Sequence, residues 1–118
     1  MKIAIITPTY NRDKLLGRLY TSLVSQTDDE FVWIVVDDGS TDKTEELINS
    51  FSEQMKVKIR YYKKNNGGKS AALNYGFECN PDIDFFAVVD SDDWLLENAI
   101  DTIKNMGFKT TIISGFSY

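Results

Sequence analysis

The sequence contains no histidine and only one cysteine, and both scarcities narrow the chemistry open to it. Because histidine is the commonest general base and metal ligand, any acid–base or metal chemistry here has to use carboxylates, lysines or hydroxyls. The single cysteine, Cys79, excludes a disulfide within the chain, and a reducing compartment is compatible with a lone thiol. We expect a cytoplasmic location, with any membrane association arising through other regions or partners.

Long apolar runs and an excess of basic charge are also missing. No segment approaches the roughly 18 apolar residues that a membrane-spanning helix needs, and the N-terminal apolar run ends at Pro8, too early for a signal peptide. Asp and Glu number 18 against 13 Lys and Arg, which gives a net charge of −5. Because nucleic-acid binding is driven by Lys and Arg, this balance argues against a nucleic-acid partner, although a small anion held through a cation remains compatible.

Alternating apolar and amphipathic segments are what the sequence does contain, within 118 residues that suit one domain. Apolar runs predict strands over residues 2–7, 31–36, 57–62, 85–89 and 109–114, and helical periodicity predicts helices over 13–25, 44–51, 69–78 and 95–106. Asp42 and Glu45 are spaced as a helix-capping pair. The alternation predicts an α/β fold, a Rossmann-like and mostly parallel sheet with helices on both faces.

Four polar loops follow the first four predicted strands. Their sequences are PTYNR, DDGSTD, NNGGKSA and DSDDW. Right-handed crossovers bring such strand-to-helix loops to one edge of a parallel sheet, and ligands of open α/β sheets bind outside the carboxyl ends of the strands. We therefore expect the four loops to meet in one site.

The last of these loops gathers three carboxylates in four positions. Asp90 and Asp92 point to the same side as the strand runs out, where their repulsion amounts to roughly a few kcal/mol. A divalent cation removes that repulsion, and oxygen ligands of this kind suit Mg²⁺ or Mn²⁺. The alternative is a solvated loop in which Asp92 or Asp93 caps the following helix.

The second loop places Asp37 and Asp38 at the end of a buried strand, before a glycine turn. One reading is that an aspartate accepts hydrogen bonds from a ligand's N–H or hydroxyl groups, and uracil carries such an N–H. The alternative is an ordinary strand–turn–helix junction, in which the loop side chains cap the helix.

The third and first loops add a lysine and an aromatic ring. Lys69 follows the turn of residues 65–68 near a helix N-terminus, where backbone N–H groups favour an anion such as a diphosphate. An ordinary glycine turn with a solvated lysine is the alternative. In the first loop Pro8 fixes the backbone as the chain leaves the strand, and Tyr10 offers a flat face to a base. Alternatively Tyr10 packs in the core and Asn11 caps the helix.

The two tryptophans are assigned differently. We expect Trp33, inside a predicted strand, to lie in the core. Trp94, just after the acidic residues, either packs under the site or lines it.

In this order, the motifs resemble the inverting glycosyltransferase family 2 with its GT-A nucleotide-diphospho-sugar fold. The matching stretches are IITPTYNR at 5–12, IVVDDGSTDKT at 34–44, NNGGKSAALNYG at 65–76 and VVDSDDWL at 88–95. The resemblance spans essentially the whole chain, and the ordered set is specific although each motif alone is not.

The resemblance implies a role for each matching residue. Thr7, Pro8 and Tyr10 would frame the nucleoside; Asp38 would bind the base edge, most often uracil; Lys69 would lie close to the nucleotide. Asp90 and Asp92 match the family's D-x-D. Asp92 would bind Mn²⁺ or Mg²⁺, and Asp90 would contact the ribose or the metal's water shell. The resemblance assigns Asp37 and Asp93 less securely.

The implied activity is inverting transfer of a sugar, from a UDP-sugar in most members, to a hydroxyl of a saccharide or lipid-linked acceptor, as in polysaccharide biosynthesis. The family's general base is an acidic residue well downstream of the D-x-D, and complete members run to about twice this length. We therefore expect residues 1–118 to form one nucleotide-sugar-binding domain without the acceptor-binding half. Such a domain would transfer sugar poorly or not at all on its own. Its exposed sheet edge or apolar patch would favour a homodimer.

Two other functions stay open. A non-catalytic nucleotide-binding or assembly module would share every donor-site residue. A phospho-receiver domain has a similar length and α/β alternation, but it needs an acidic pair after its first strand, where this chain has Thr7 to Tyr10.

Overall fold

In the computed structural model, the chain forms a five-stranded sheet whose four strand pairings are all parallel. The structure describes residues 1–106 and the backbone of residues 112–114. The strands are β1 (Ile3–Thr9), β2 (Val32–Asp37), β3 (Lys58–Lys63), β4 (Phe85–Val88) and β5 (Ile112–Ser114), and the helices are α1 (Leu16–Val24), α2 (Thr44–Glu53), α3 (Lys69–Cys79) and α4 (Ala99–Met106). The predicted α/β class is confirmed; residues 109–111 of the predicted fifth strand lie outside the described residues.

Helices cover both faces of the sheet, as predicted. On β1 alternate residues point to opposite faces, so Ile3 and Ile5 join one hydrophobic cluster while Ala4 and Ile6 join another. Helices α1, α2 and α4 contribute buried residues to the first cluster, and α3 contributes Ala72 to the second. Trp33 lies in the first cluster, fully buried as expected. Burial on both faces explains why β1 and β2 read as continuous apolar runs.

Strand β1 runs two residues beyond its predicted end and includes Pro8, which therefore does not mark the exit from the strand. The pairing of β1 with β4 ends at Ile6 and Val88, whereas the pairing with β2 continues to Thr9 and Asp37. On the β2 side the Thr9 carbonyl accepts a hydrogen bond from the Asp38 N–H. By alternation Pro8 faces the other side, where the ladder has already stopped, so its missing N–H breaks no strand pairing.

Two helices begin later than predicted. Helix α1 starts at Leu16 because the preceding turn is closed by hydrogen bonds from the Leu15 and Leu16 N–H groups to the Arg12 carbonyl. Helix α4 starts at Ala99, after an irregular segment with turns at residues 91–92 and 97–98.

The predicted capping pair before α2 is half present. The Asp42 carboxylate accepts from the Thr44 N–H at 3.0 Å, as a cap does. Among the described residues, Glu45 returns no hydrogen bond to the start of the helix. Its carboxylate pairs with Lys63 on β3 at 3.2 Å. The reciprocal box is thus replaced by one cap and one exposed ion pair.

The strand order is β3-β2-β1-β4-β5, so the chain builds outward from β1 first in one direction and then in the other. At such a reversal the loops after β1 and β4 diverge and leave a crevice at the carboxyl ends of the strands, the usual ligand position in open α/β sheets. Within the described ranges, the helices are too short or too polar to cross a bilayer.

Candidate functional site

A cavity of about 310 Å³ lies at the carboxyl edge of the sheet, over the reversal between β1 and β4. All four predicted loops or the helices that follow them reach it. Its lining residues are Pro8, Thr9, Tyr10, Arg12, Asp38, Lys69, Ala72, Asp90, Ser91 and Asp92. The structure thus brings together six predicted site residues: Pro8, Tyr10, Asp38, Lys69, Asp90 and Asp92.

Thr7 is the predicted nucleoside contact that the structure places elsewhere. Its side chain is fully buried, and its Oγ1 accepts a hydrogen bond from Trp33 Nε1 at 2.9 Å. Thr7 points to the same face as Ile3 and Ile5, so it lies beneath the cavity rather than in its wall. Thr9, two residues later, lines the cavity instead.

The adjacent aspartates at the end of β2 have different environments. Asp37 is fully buried, and its two carboxylate oxygens accept from the Ser40 N–H and from the Tyr61 hydroxyl. Burial and this bond raise the pKa of Tyr61, which keeps the phenol a donor. Asp37 therefore holds the turn and β3 together and does not face the cavity.

Asp38 does line the cavity, and its carboxylate is already well supported. One oxygen accepts from the Gly67 N–H and the other from the Gly68 N–H, both at 2.9 Å, and Lys64 Nζ lies 3.1 Å from the first oxygen. Burial alone would raise the pKa of Asp38, but these hydrogen bonds outweigh it and lower the pKa below its ordinary value. Asp38 is thus a fixed anion and acts only as an acceptor.

The glycine turn before α3 therefore differs from its predicted role. We expected its N–H groups to receive a ligand's diphosphate, but the Gly67 and Gly68 N–H groups bind the Asp38 carboxylate. The second and third loops also come very close: Gly39 has φ +86°, and a Cβ there would lie 3.0 Å from the Asn66 nitrogen. The turn thus fixes the orientation of Asp38 rather than offering a free anion site.

At the other end of the cavity, carboxylates cluster. Asp90, Asp92 and Asp93 each offer a ligand atom, and these atoms lie within 4.8 Å of one another. Lys69 Nζ pairs with Asp90 at 2.8 Å. Helix α4 begins six residues after Asp93, and within the described residues neither Asp92 nor Asp93 accepts from its N–H groups, so the capping alternative does not hold. The donor set, all oxygens, fits a divalent cation such as Mg²⁺ or Mn²⁺.

The first loop is fixed against the second. Asn11, at φ +51°, accepts from the Thr41 N–H at 2.8 Å and donates its own N–H to Ser40 Oγ at 2.9 Å. The carboxylates of Asp13 and Asp42 each accept an N–H from the opposite loop at 3.2 Å. Asn11 thus joins two loops instead of capping α1, and Tyr10 is 45% exposed beside the cavity, not in the core.

Sequence reasoning missed several contributors. Arg12 and Ser91 line the cavity, and Lys64 neutralises Asp38 from the strand end before the glycine turn. The basic residue in the PTYNR loop could have indicated from the sequence that Arg12 lines the cavity. Nothing in the sequence indicated that Lys64 would pair with Asp38. Trp94 does not line the cavity: the Arg18 guanidinium lies 3.9 Å from the centre of its ring.

Comparisons with known proteins point in one direction. The model of a family described as Glycosyl transferase family 2 matches residues 4–106. Glycosyltransferase GlyA of Streptococcus pneumoniae is 38% identical over 119 residues, which cover 99% of this chain and 17% of GlyA. The chain thus corresponds to a small part of that relative.

Solved structures agree with the sequence matches. Staphylococcus aureus TarS in complex with UDP-GlcNAc superposes with a TM-score of 0.77 at 32% identity, over 90% of this chain and 30% of the TarS chain. TarS is described as a poly(ribitol-phosphate) beta-N-acetylglucosaminyltransferase. A Pyrobaculum calidifontis mannosyltransferase in complex with GDP-Man and Mn²⁺ shares the fold, with a TM-score of 0.76 at 22% identity over 93% of this chain and 33% of that one.

Proposed function

The chain belongs to glycosyltransferase family 2, and from that membership we propose that its cavity binds a UDP-sugar with a divalent cation, as the donor for inverting transfer to an acceptor hydroxyl. The observation that carries the proposal is the convergence of Asp38, Lys69, Asp90 and Asp92 on one cavity. At about 310 Å³ the cavity lies at the lower end of the range of ligand pockets, roughly 300–1,000 Å³. Family membership removes the phospho-receiver alternative.

Asp38 and Tyr10 would bind the base. Because Asp38 is a fixed anion, it selects a base edge that presents an N–H, as uracil does at N3. The exposed ring of Tyr10 offers a flat surface for stacking on the other side of the cavity opening. The UDP-GlcNAc complex of TarS, which is 32% identical to this chain, supports uracil over other bases.

Asp90 and Asp92 would hold the cation, Mn²⁺ or Mg²⁺, at the diphosphate end. When bound, such an ion supplies Lewis-acid stabilisation of the charge that develops on the leaving diphosphate. Lys69 now pairs with Asp90, and Arg12 lines the same wall. With a cation bound to Asp90, the Lys69 ammonium would be available to pair with a phosphate oxygen.

The remaining expectations from the sequence stay predictions. They are a saccharide or lipid-linked acceptor, an acidic general base outside residues 1–118, poor transfer by this domain alone, a homodimer, and a cytoplasmic location with membrane association through other regions or partners. We assign no general base among the residues that line the cavity.

Calorimetric titration of UDP, GDP and ADP, with and without Mn²⁺, tests the donor site. Wild type should bind UDP most tightly and only weakly without metal. Loss of a charged hydrogen-bonding group removes about 1.5–3 kcal/mol, which is roughly a ten- to hundredfold loss of affinity. We expect Asp92→Asn to lose the Mn²⁺-dependent part of binding, and Asp38→Asn to bind UDP more weakly with or without metal.

The matched control is Glu46→Gln, which removes one negative charge at an exposed position on α2, away from the cavity. It should bind as wild type does. Absence of UDP binding by wild type in the presence of Mn²⁺ would exclude the donor-site proposal. Nucleotide binding without any transfer, even when the acceptor-binding part of a relative is added, would favour the non-catalytic module.

A further inference from the structure

The acidic residues lie at the start of a segment with little regular structure of its own. Between β4 and α4 the chain forms turns at residues 91–92 and 97–98. A bond from the Asp93 N–H to the Asp90 carbonyl, at 3.1 Å, closes the first turn. Three carboxylates crowd this turn, and their mutual repulsion tends to open it. The ion pair between Lys69 and Asp90 offsets part of this repulsion, and contacts from α1 hold the backbone of the turn.

Helix α1 supplies the first restraint through Arg18. Its Nη2 donates to the Asp92 carbonyl oxygen at 3.0 Å, and its guanidinium lies 3.9 Å from the centre of the Trp94 ring. The Arg18 side chain thus contacts both the backbone carbonyl of Asp92 and the ring of Trp94. An arginine suits this task because its planar group stacks and donates at the same time.

Ser22 and Gln26 extend the restraint along the same segment. Ser22 Oγ accepts from the Leu95 N–H at 3.0 Å. Gln26 donates to the Leu96 carbonyl at 2.7 Å and accepts from the Ile100 N–H at 3.1 Å, so it also caps the start of α4. Both polar ends of the Gln26 amide are therefore committed to the segment that carries the acidic turn into α4.

These residues follow one another at intervals of four in the sequence. Arg18 and Ser22 lie one turn apart on α1. Gln26 lies two residues beyond the end of the helix, where its side chain also donates to the Ser22 carbonyl at 3.1 Å. The buried residues of α1 join the first hydrophobic cluster. Its polar stripe instead follows the irregular segment from Asp92 to Ile100.

We propose that the stripe of Arg18, Ser22 and Gln26 is a positioning device, which holds the turn of Asp90, Asp92 and Asp93 in the geometry that a divalent cation requires. The inference rests on the proposed metal-dependent donor site. Groups that orient metal ligands without touching the metal change its affinity by about 10–100-fold when mutated. None of the three stripe residues lines the cavity, so their effect is expected on the cation and not on the base.

The test compares two binding constants in the same variants. Mn²⁺ affinity is measured by electron paramagnetic resonance in the presence of UDP, and UDP affinity is measured separately without metal. Arg18→Met keeps the aliphatic stem but removes the guanidinium, and we expect it to weaken Mn²⁺ binding by about tenfold while metal-free UDP affinity stays unchanged. Arg18 is exposed, so the variant should fold normally.

Three further variants sharpen the result. Arg18→Lys retains a charged donor and should recover part of the loss. Gln26→Met, at the far end of the stripe, should weaken Mn²⁺ binding in the same direction. Lys14→Met removes an equal charge from an exposed residue just before α1 and should leave the Mn²⁺ constant unchanged.

The outcomes separate the two proposals. If wild type binds Mn²⁺ and Arg18→Met binds it within about twofold of wild type, or loses metal-free UDP binding to the same extent, the positioning role is wrong while the donor site stands. If wild type does not bind Mn²⁺ even with UDP, the metal part of the donor site fails and the positioning role fails with it.

Discussion

Neighbouring residues of the same chemical type have different roles at the carboxyl edge of this sheet, because their side chains point in different directions. Asp37 is fully buried and gives both oxygens to protein donors. Asp38, one residue later, reaches the cavity while its charge is fixed by two glycine N–H groups and Lys64. The alternation of a strand gives the two residues opposite sides. The residue type alone therefore does not predict which aspartate faces the cavity.

Thr7 and Thr9 are a second pair of like residues with different roles. The same substitution is expected to destabilise the protein at one position and to stabilise it at the other. Thr7 Oγ1 is the acceptor for Trp33 Nε1, so Thr7→Val leaves a buried indole N–H without a partner and should destabilise by about 1–3 kcal/mol. Thr9 Oγ1 is buried and has no hydrogen-bond partner among the described residues. Thr9→Val removes that unpaired group and should stabilise by about 1 kcal/mol.

Urea denaturation of the two variants and wild type, without ligand, measures both effects. The two variants control for each other because the substitution is the same and the positions are two residues apart on one face of β1. Equal destabilisation by both would mean that the Thr9 hydroxyl has a stabilising contact after all.

At the scale of helices and strands, close packing of α3 on the sheet fixes one side of the cavity. A Cβ at Gly76 would lie 2.5 Å from Ile6 Cδ1 and 2.9 Å from Val36 Cγ2, both core side chains on the α3 face. Helix α3 also begins with Lys69 and carries Ala72, which lines the cavity. The distance of α3 from β1 and β2 therefore determines the position of Lys69 in the cavity wall.

Gly76→Ala should destabilise the protein although alanine is the better helix former. Overpacking a core contact of this kind costs about 1–3 kcal/mol, which exceeds the gain of about 1 kcal/mol in helix propensity. Gly17→Ala in α1 is the matched control, because a Cβ there meets no described atom within 4 Å. Only the gain in helix propensity then remains, so the midpoint of thermal unfolding should rise. Thermal unfolding compares both variants with wild type. A rise for Gly76→Ala would contradict the close approach of α3.

The elements also show where sequence reasoning works and where it stops. Strands β1, β2 and β4 were predicted because buried parallel strands are apolar on both faces. The extension of β1 through Pro8 was not predicted. It is possible because the pairing of β1 with β4 has already ended before Pro8. The late start of α4 depends on bonds from Ser22 and Gln26, more than 70 residues away in the chain. Boundaries set by distant partners leave no local signal.

For the molecule as a whole, the predicted GT-A arrangement is confirmed, and topology explains why the site could be foreseen. Parallel strands send their following loops to one edge, so motifs far apart in the chain converge. That argument predicted the meeting of Asp38, Lys69 and Asp92 at one cavity, and the structure brings them together. It did not predict that the Asp38 carboxylate would accept hydrogen bonds from the N–H groups before α3. Whether a side chain or a ligand binds those groups depends on distances that only the structure shows.

Charge balance across the whole molecule gives the last prediction, an acid-sensitive stability. The pKa of Asp82 is held below its usual range by its hydrogen bonds with Arg60, and that of Asp28 by its bond with Lys104. For Asp42 and Asp38 burial acts in the opposite direction, but hydrogen bonds outweigh it and also lower the pKa. A carboxylate whose pKa is lowered by folding stabilises the protein above its unfolded pKa, and the contribution is lost as pH falls through the folded pKa.

The thermal midpoint should therefore fall steadily as the pH drops below about 5, the upper limit at which such contributions begin to fade. Between about pH 6 and 8 it should stay flat, because histidine, the side chain that ordinarily titrates there, is absent. Asp82→Asn removes the carboxylate that pairs with Arg60, and its thermal midpoint should decline less steeply in acid than that of wild type. Calorimetric scans from pH 3 to 8 measure all three effects. A midpoint that changes mainly between pH 6 and 7 would mean that groups other than these carboxylates control stability.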